Sequence, residues 1–108
     1  MSTEATLRHH LQAFTEGLDA ILSDYTEESV LFTPDGPVRG LAGLRAFFDG
    51  FLRNSPPELF DAFTLIRHDV EGEVAYITWK AEPYITMATD TFVIRNGKIM
   101  VQTFAALS

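Results

Sequence analysis

Residues 92–104 read FVIRNGKIMVQTF, two apolar runs either side of Arg95-Asn96-Gly97-Lys98. An Asn-Gly pair between apolar runs is a strong hairpin signal, because the tight turns that match the twist of antiparallel strands need positive φ, which these residues tolerate. The β texture continues upstream: LFDAFTLIRHDV from Leu59, the turn Glu71-Gly72-Glu73, VAYITWKAEPY, and ITMATDTFVI running into the hairpin. The second half of the chain therefore reads as a meander of antiparallel strands starting near Leu59. Parity separates its faces. Ala75, Ile77 and Trp79 point one way and Val74, Tyr76 and Thr78 the other, so neither face is fully polar. Such a sheet needs helices on one side and a further cover, such as a partner subunit, on the other.

The first half supplies the helices. Leu7, Leu11, Phe14, Leu18, Ile21 and Leu22 recur at helical spacing behind Thr3, the expected N-cap, and Gly17 divides the stretch into two helices. Leu44, Phe47, Phe48, Phe51 and Leu52 repeat the pattern after Gly40. This third helix should run to about Arg53, where Asn54, Ser55 and the Pro56-Pro57 pair stop it. Between the helices, VLFTPDGPVRG starts as a strand and ends in turn residues.

Composition narrows the function. The 108 residues, 46% hydrophobic, make one domain with no room for a second, and 8 Lys plus Arg against 15 Asp plus Glu leave a net charge of -7. That charge repels nucleic acid and anionic membrane surfaces. With no cysteine there is neither a disulfide framework nor a thiolate nucleophile, which suits a reducing cytoplasm. No signal core or membrane-length apolar run occurs, so a soluble cytoplasmic protein is expected. His9 and His10 are adjacent rather than one turn apart and no HExxH occurs, so no metal is expected. There is also no GxSxG elbow and no phosphate-cradling glycine loop.

The order of helix, short helix, YTEESVLFTPDGPVRG, amphipathic helix and a meander closing on FVIRNGKIMVQTF resembles the NTF2-like superfamily, and within it the SnoaL-like and ketosteroid-isomerase-like branch. The resemblance covers nearly the whole chain. It implies an α+β, cone-shaped (cystatin-like) fold, with three N-terminal helices on a strongly curved, mostly antiparallel sheet. It also implies a homodimer joined through the outer sheet face and a cone that receives a small apolar molecule without a cofactor.

Carried over residue by residue, the isomerase base falls on Thr33, immediately before Pro34. A threonine hydroxyl is not a general base near neutral pH, so Thr33 is expected as a pocket-lining hydroxyl. The oxyanion-hole acid of the isomerases falls on Asp90, which shares parity with the apolar Ala88, Phe92 and Ile94. A carboxyl group in such surroundings resists ionising and can donate or relay a proton. The family's helix tyrosine falls on His10 or His9. Adjacent helical residues point about 100° apart, and His10 is the one that borders the stripe of Leu7, Leu11 and Phe14. His10 and Asp90 thus form the candidate acid-base pair. Gln102, in parity with Met100, Phe104 and Ala106, faces the cone and can orient a carbonyl or hydrogen-bond Asp90. Trp79, Phe104, Phe14 and Phe48 complete the expected wall together with Thr33. Tyr25 matches a tyrosine that packs between the second helix and the first strand, a structural role. Two readings stand: a cofactor-free isomerase or cyclase acting on a small carbonyl compound, and a noncatalytic dimer whose cone holds a ligand or is filled by the chain's own side chains.

Overall fold

The computed structural model describes residues 1–108. Helix α1 (Thr3–Ala13) is capped one residue earlier than expected: Ser2 is the N-cap, its Oγ accepting from the Ala5 N–H at 3.0 Å. Gly17, at φ 114°, breaks the stretch as read and opens α2 (Leu18–Leu22). Strands β1 (Tyr25–Thr33) and β2 (Gly36–Arg39) form a hairpin across Pro34-Asp35, and α3 (Gly40–Asn54) ends where the Asn-Ser-Pro-Pro run begins.

The next residues correct the sequence reading. Leu59 does not start a strand, because Pro57–Asp61 wind into a short fourth helix, α4, with Pro57 at its first position, where a missing N–H costs nothing. This turn lays Leu59 and Phe60 against the interior. Then follow β3 (Thr64–Glu71), β4 (Val74–Ala81), β5 (Ile85–Arg95) and β6 (Lys98–Leu107). Asn96 at φ 52° and Gly97 at φ 75° take the paired positive-φ turn expected between β5 and β6.

The six strands form one curved sheet in the order β2-β1-β6-β5-β4-β3, antiparallel except where β1 runs parallel to β6. Helices cover its inner face, onto which Ala75, Ile77, Trp79, Ala88, Phe92 and Ile94 are buried as parity predicts. The fold is α+β and cone-shaped, as expected. No element of the chain covers the outer face, where Phe32 and Val74 stay 44% and 40% exposed. No helix is long and apolar enough to cross a membrane.

Candidate functional site

The register of the sheet builds the site. Phe92 pairs with Gln102 and Asp90 with Phe104 across β5 and β6, so Asp90 and Gln102 are diagonal neighbours on the inner face. Ile77 pairs with Asp90 and Trp79 with Ala88, which sets Trp79 diagonal to Asp90 on the other side. Asp90 is therefore flanked by one indole and one amide. Trp79 Nε1 donates to Asp90 Oδ1 at 2.9 Å, and Gln102 Nε2 donates to Asp90 Oδ2 at 2.8 Å.

The polar contacts continue away from the sheet. The Tyr25 hydroxyl donates to Gln102 Oε1. His10 Nε2 lies 3.3 Å from the same hydroxyl, and His10 Nδ1 lies 3.1 Å from Asp24 Oδ2. His9 Nδ1 meets the other oxygen of Asp24 at 2.7 Å. Seven side chains thus form one connected series: Trp79, Asp90, Gln102, Tyr25, His10, Asp24 and His9. Only His9 reaches water, its side chain being 42% exposed. No buried side-chain nitrogen or oxygen lacks a partner. A fully satisfied series of this kind fixes the positions of its members, since displacing any of them would orphan a neighbour in low dielectric.

Apolar packing encloses the series. Four rings pack edge-to-face with His10, those of Phe14, Tyr25, Phe92 and Phe48, at centroid distances of 5.3, 5.4, 5.7 and 6.4 Å. The Trp79 indole stacks on Phe104 and leans on Phe63. Beside these groups a cavity of about 150 Å³ opens, walled by side chains including Phe14, Phe48, Phe51, Leu59, Trp79 and Phe104. Asp90, His10 and Gln102 are among the few polar groups on its surface.

Burial sets the electrostatics. It pushes the Asp90 carboxyl above the usual carboxylate range, while the hydrogen bonds from Trp79 and Gln102 and the charge of His10 pull it back in part. Burial likewise raises the Tyr25 phenol well above its ordinary value, reinforced by the negative charges of Asp90 and Asp24. Tyr25 therefore keeps its proton, which makes it both donor and acceptor.

The structure brings together Asp90, His10, Gln102, Trp79, Phe104, Phe14 and Phe48. It leaves Thr33 out, which is a correction. The Thr33 hydroxyl donates to the Gly36 carbonyl at 2.9 Å and accepts from the Asp35 N–H at 3.1 Å, which ties it into the β1–β2 turn away from the cavity. Its neighbours Pro34 and Asp35 demand a closed turn, and the hydroxyl serves that turn. Tyr25 goes beyond the structural role expected of it, because its hydroxyl joins His10 to Gln102. Asp24 was not anticipated. It lies between α2 and β1, where parity assigns no face, and its only signal in the sequence was adjacency to Tyr25.

The model of the SnoaL-like domain matches residues 7–102. The chain belongs to this family. Solved structures agree on the fold. A SnoaL-like protein of unknown function from Burkholderia thailandensis superimposes with a TM-score of 0.81 at 20% identity, covering 98% of this chain and 95% of that one. An NTF2-like protein of unknown function from Mesorhizobium loti gives 0.79 at 18% identity, covering 98% and 91%. A proposed polyketide cyclase from Sinorhizobium meliloti gives 0.77 at 13% identity, covering 94% of each chain. At these identities the likeness is one of fold. Among curated proteins none matches the chain.

Proposed function

We propose that this SnoaL-like domain binds a small, largely apolar carbonyl compound of about one ring and moves a proton on it, an isomerase- or cyclase-type reaction run without a cofactor by Asp90 and His10. The observation that carries this reading is the placement of a burial-raised carboxyl, an imidazole and an amide on the wall of an otherwise apolar cavity. In its ionised form Asp90 can take a proton from the carbon next to a carbonyl. In its neutral form it can return that proton, as general acid-base catalysis requires.

Size supports the substrate class. A cavity of about 150 Å³ accepts a single aromatic ring. A drug-sized or multi-ring ligand needs several hundred Å³. The Phe side chains on α1, α3 and α4 have reduced the cone to this volume, which argues against a steroid. We further propose a homodimer through the uncovered outer face of the sheet, supported by exposed Phe32 and Val74 there, and a cytoplasmic setting, supported by the absence of cysteine.

A second reading, a ligand-holding dimer without turnover, is favoured by the complete internal satisfaction of the polar series. One experiment separates the two. Trp79 is the chain's single tryptophan and donates to Asp90, so its fluorescence reports ligand in the cavity. Titration with monocyclic ketones should give a saturable change. The same ketones in heavy water should exchange their α-hydrogens on the protein, at a rate that falls at least ~100-fold in Asp90→Asn. Binding without exchange selects the ligand-holding reading, and no saturable change with any one-ring ketone removes both.

A further inference from the structure

The series that links Asp90 to His10 can be drawn in two self-consistent ways. In the first, Gln102 Nε2 donates to Asp90 and the Tyr25 hydroxyl donates to Gln102 Oε1. Tyr25 has then spent its only proton, so its oxygen accepts from His10 Nε2–H, and His10 Nδ1–H donates to Asp24. Both imidazole nitrogens carry protons and Asp90 is a carboxylate. In the second, the Gln102 amide is turned by half a revolution, which its near-symmetric shape permits without moving a neighbour. Asp90 then donates to Gln102 Oε1, the amide donates to Tyr25, and the hydroxyl donates to His10 Nε2. His10 is neutral with its proton on Nδ1, and Asp90 is an acid.

The two arrangements hold the same number of protons. From first to second, the His10 Nε2–H bond breaks and an Asp90 Oδ2–H bond forms. Tyr25 keeps one O–H and Gln102 keeps both N–H, and the net charge does not change. The indole fixes which oxygen is involved: Trp79 N–H always donates, so Oδ1 must accept in both cases and the mobile proton sits on Oδ2, facing Gln102.

We propose that Tyr25 and Gln102 couple Asp90 to His10 through this hydrogen-bonded series, so that one mobile proton resides on either Asp90 Oδ2 or His10 Nε2 and reversal of the Gln102 amide accompanies its passage. The inference rests on the reading of Asp90 and His10 as the acid-base pair and adds how they communicate. Through it Asp90 converts between acid and base without drawing a proton past an occupied cavity. The two arrangements differ in where charge sits: burial opposes the carboxylate and pushes the Asp90 carboxyl above its usual range, while the imidazolium of the first arrangement pulls it back in part. The other titratable groups facing the series are Asp24 and His9, at its far end. Helices α3 and α4 bring only Phe47, Phe48, Phe51, Leu59 and Phe60 toward the cavity.

The test is a carbon-13 NMR titration of the Asp90 carboxyl in the ligand-free protein, comparing wild type, His10→Gln, Tyr25→Phe and the double variant. Removing the imidazole should raise the Asp90 midpoint by about one pH unit, tenfold in proton affinity, while Tyr25 is present. With the series cut by Tyr25→Phe, the same removal should move the midpoint by less than half as much, since only attraction through space is left. A shift below about 0.3 unit with Tyr25 intact, or half or more of it surviving the cut, overturns the proposal. If Tyr25→Phe fails to fold, Gln102→Met makes the cut at the amide and is judged by the same criterion. No ligand enters this measurement, so its outcome is independent of whether one-ring ketones bind.

Discussion

Asp24 and Asp90 are the same side chain in the same protein, 2% and 6% exposed, each one step from an opposite end of one hydrogen-bonded series. Their partners differ. Asp24 faces two imidazoles, each able to carry positive charge, and does not itself line the cavity. Asp90 accepts only from an indole and an amide, neither of which can ionise, and borders the cavity. A buried carboxyl opposite basic side chains orients them, whereas burial among neutral donors in an apolar wall pushes a carboxyl toward its protonated form. The contrast teaches that burial alone does not nominate a catalytic acid. The partner set does.

Removing each carboxyl in turn should expose the difference, and the largest effect belongs to Asp24. Asp24→Ala leaves two imidazole Nδ1 groups without a partner, one fully buried, and should cost about 3–5 kcal/mol in urea denaturation, the usual penalty for breaking a buried pair by removing one member. A loss below about 1 kcal/mol would mean the histidines find water, and the contrast would collapse.

Asp90→Asn should behave in the opposite way. The native carboxyl is raised above its ordinary value, so between that value and the raised one the folded protein holds more protons than the unfolded chain. Wild-type stability must therefore fall as pH rises through this window, by about 1.4 kcal/mol for each unit of displacement, and stay reduced above it. An asparagine has no proton to lose and still offers an oxygen to Trp79 and an amide to Gln102. The Tm of Asp90→Asn relative to wild type should thus increase with pH from acid toward neutral. A difference that does not change with pH would show that Asp90 is not displaced in the folded state.

How much of this was legible in the sequence depends on where each residue sits. On β4, β5 and β6, period-two alternation groups Trp79, Asp90, Gln102 and Phe104 with particular neighbours on one face, and the SnoaL-like resemblance identifies that face as the inner wall. On α1, the 100° step between neighbours separated His10 from His9 in the same way. Asp24 escaped because it lies between elements, where no period applies and only the tertiary fold brings it under α1. The hydroxyl of Tyr25 escaped because packing patterns describe a ring and say nothing of what its oxygen meets. The α4 turn was read as strand since LFDAF is apolar and aromatic, and a single helical turn after a proline is too short to display a 3.6-residue period. Thr33 failed for a different reason. Its position came from alignment to a strand end, and the local chemistry of Thr-Pro-Asp-Gly overrode that analogy.

Thr33 also supplies the smallest effect, and the one that sharpens the boundary of the site. Its hydroxyl makes two contacts inside the β1–β2 turn, donating to the Gly36 carbonyl and accepting from the Asp35 N–H, on a half-buried side chain. Thr33→Ala removes both, and in a partly solvated turn water replaces much of what is lost, so a stability decrease of about 0.5–1.5 kcal/mol is expected. The fluorescence titration of Trp79 with monocyclic ketones should return the wild-type affinity in this variant, because no atom of Thr33 lines the cavity. An affinity loss of tenfold or more, at unchanged fold, would place the β1–β2 turn over the ligand and restore Thr33 to the pocket. In that case the strand end would be part of the site, and the chemistry would extend beyond the wall shared by Asp90, Gln102 and His10.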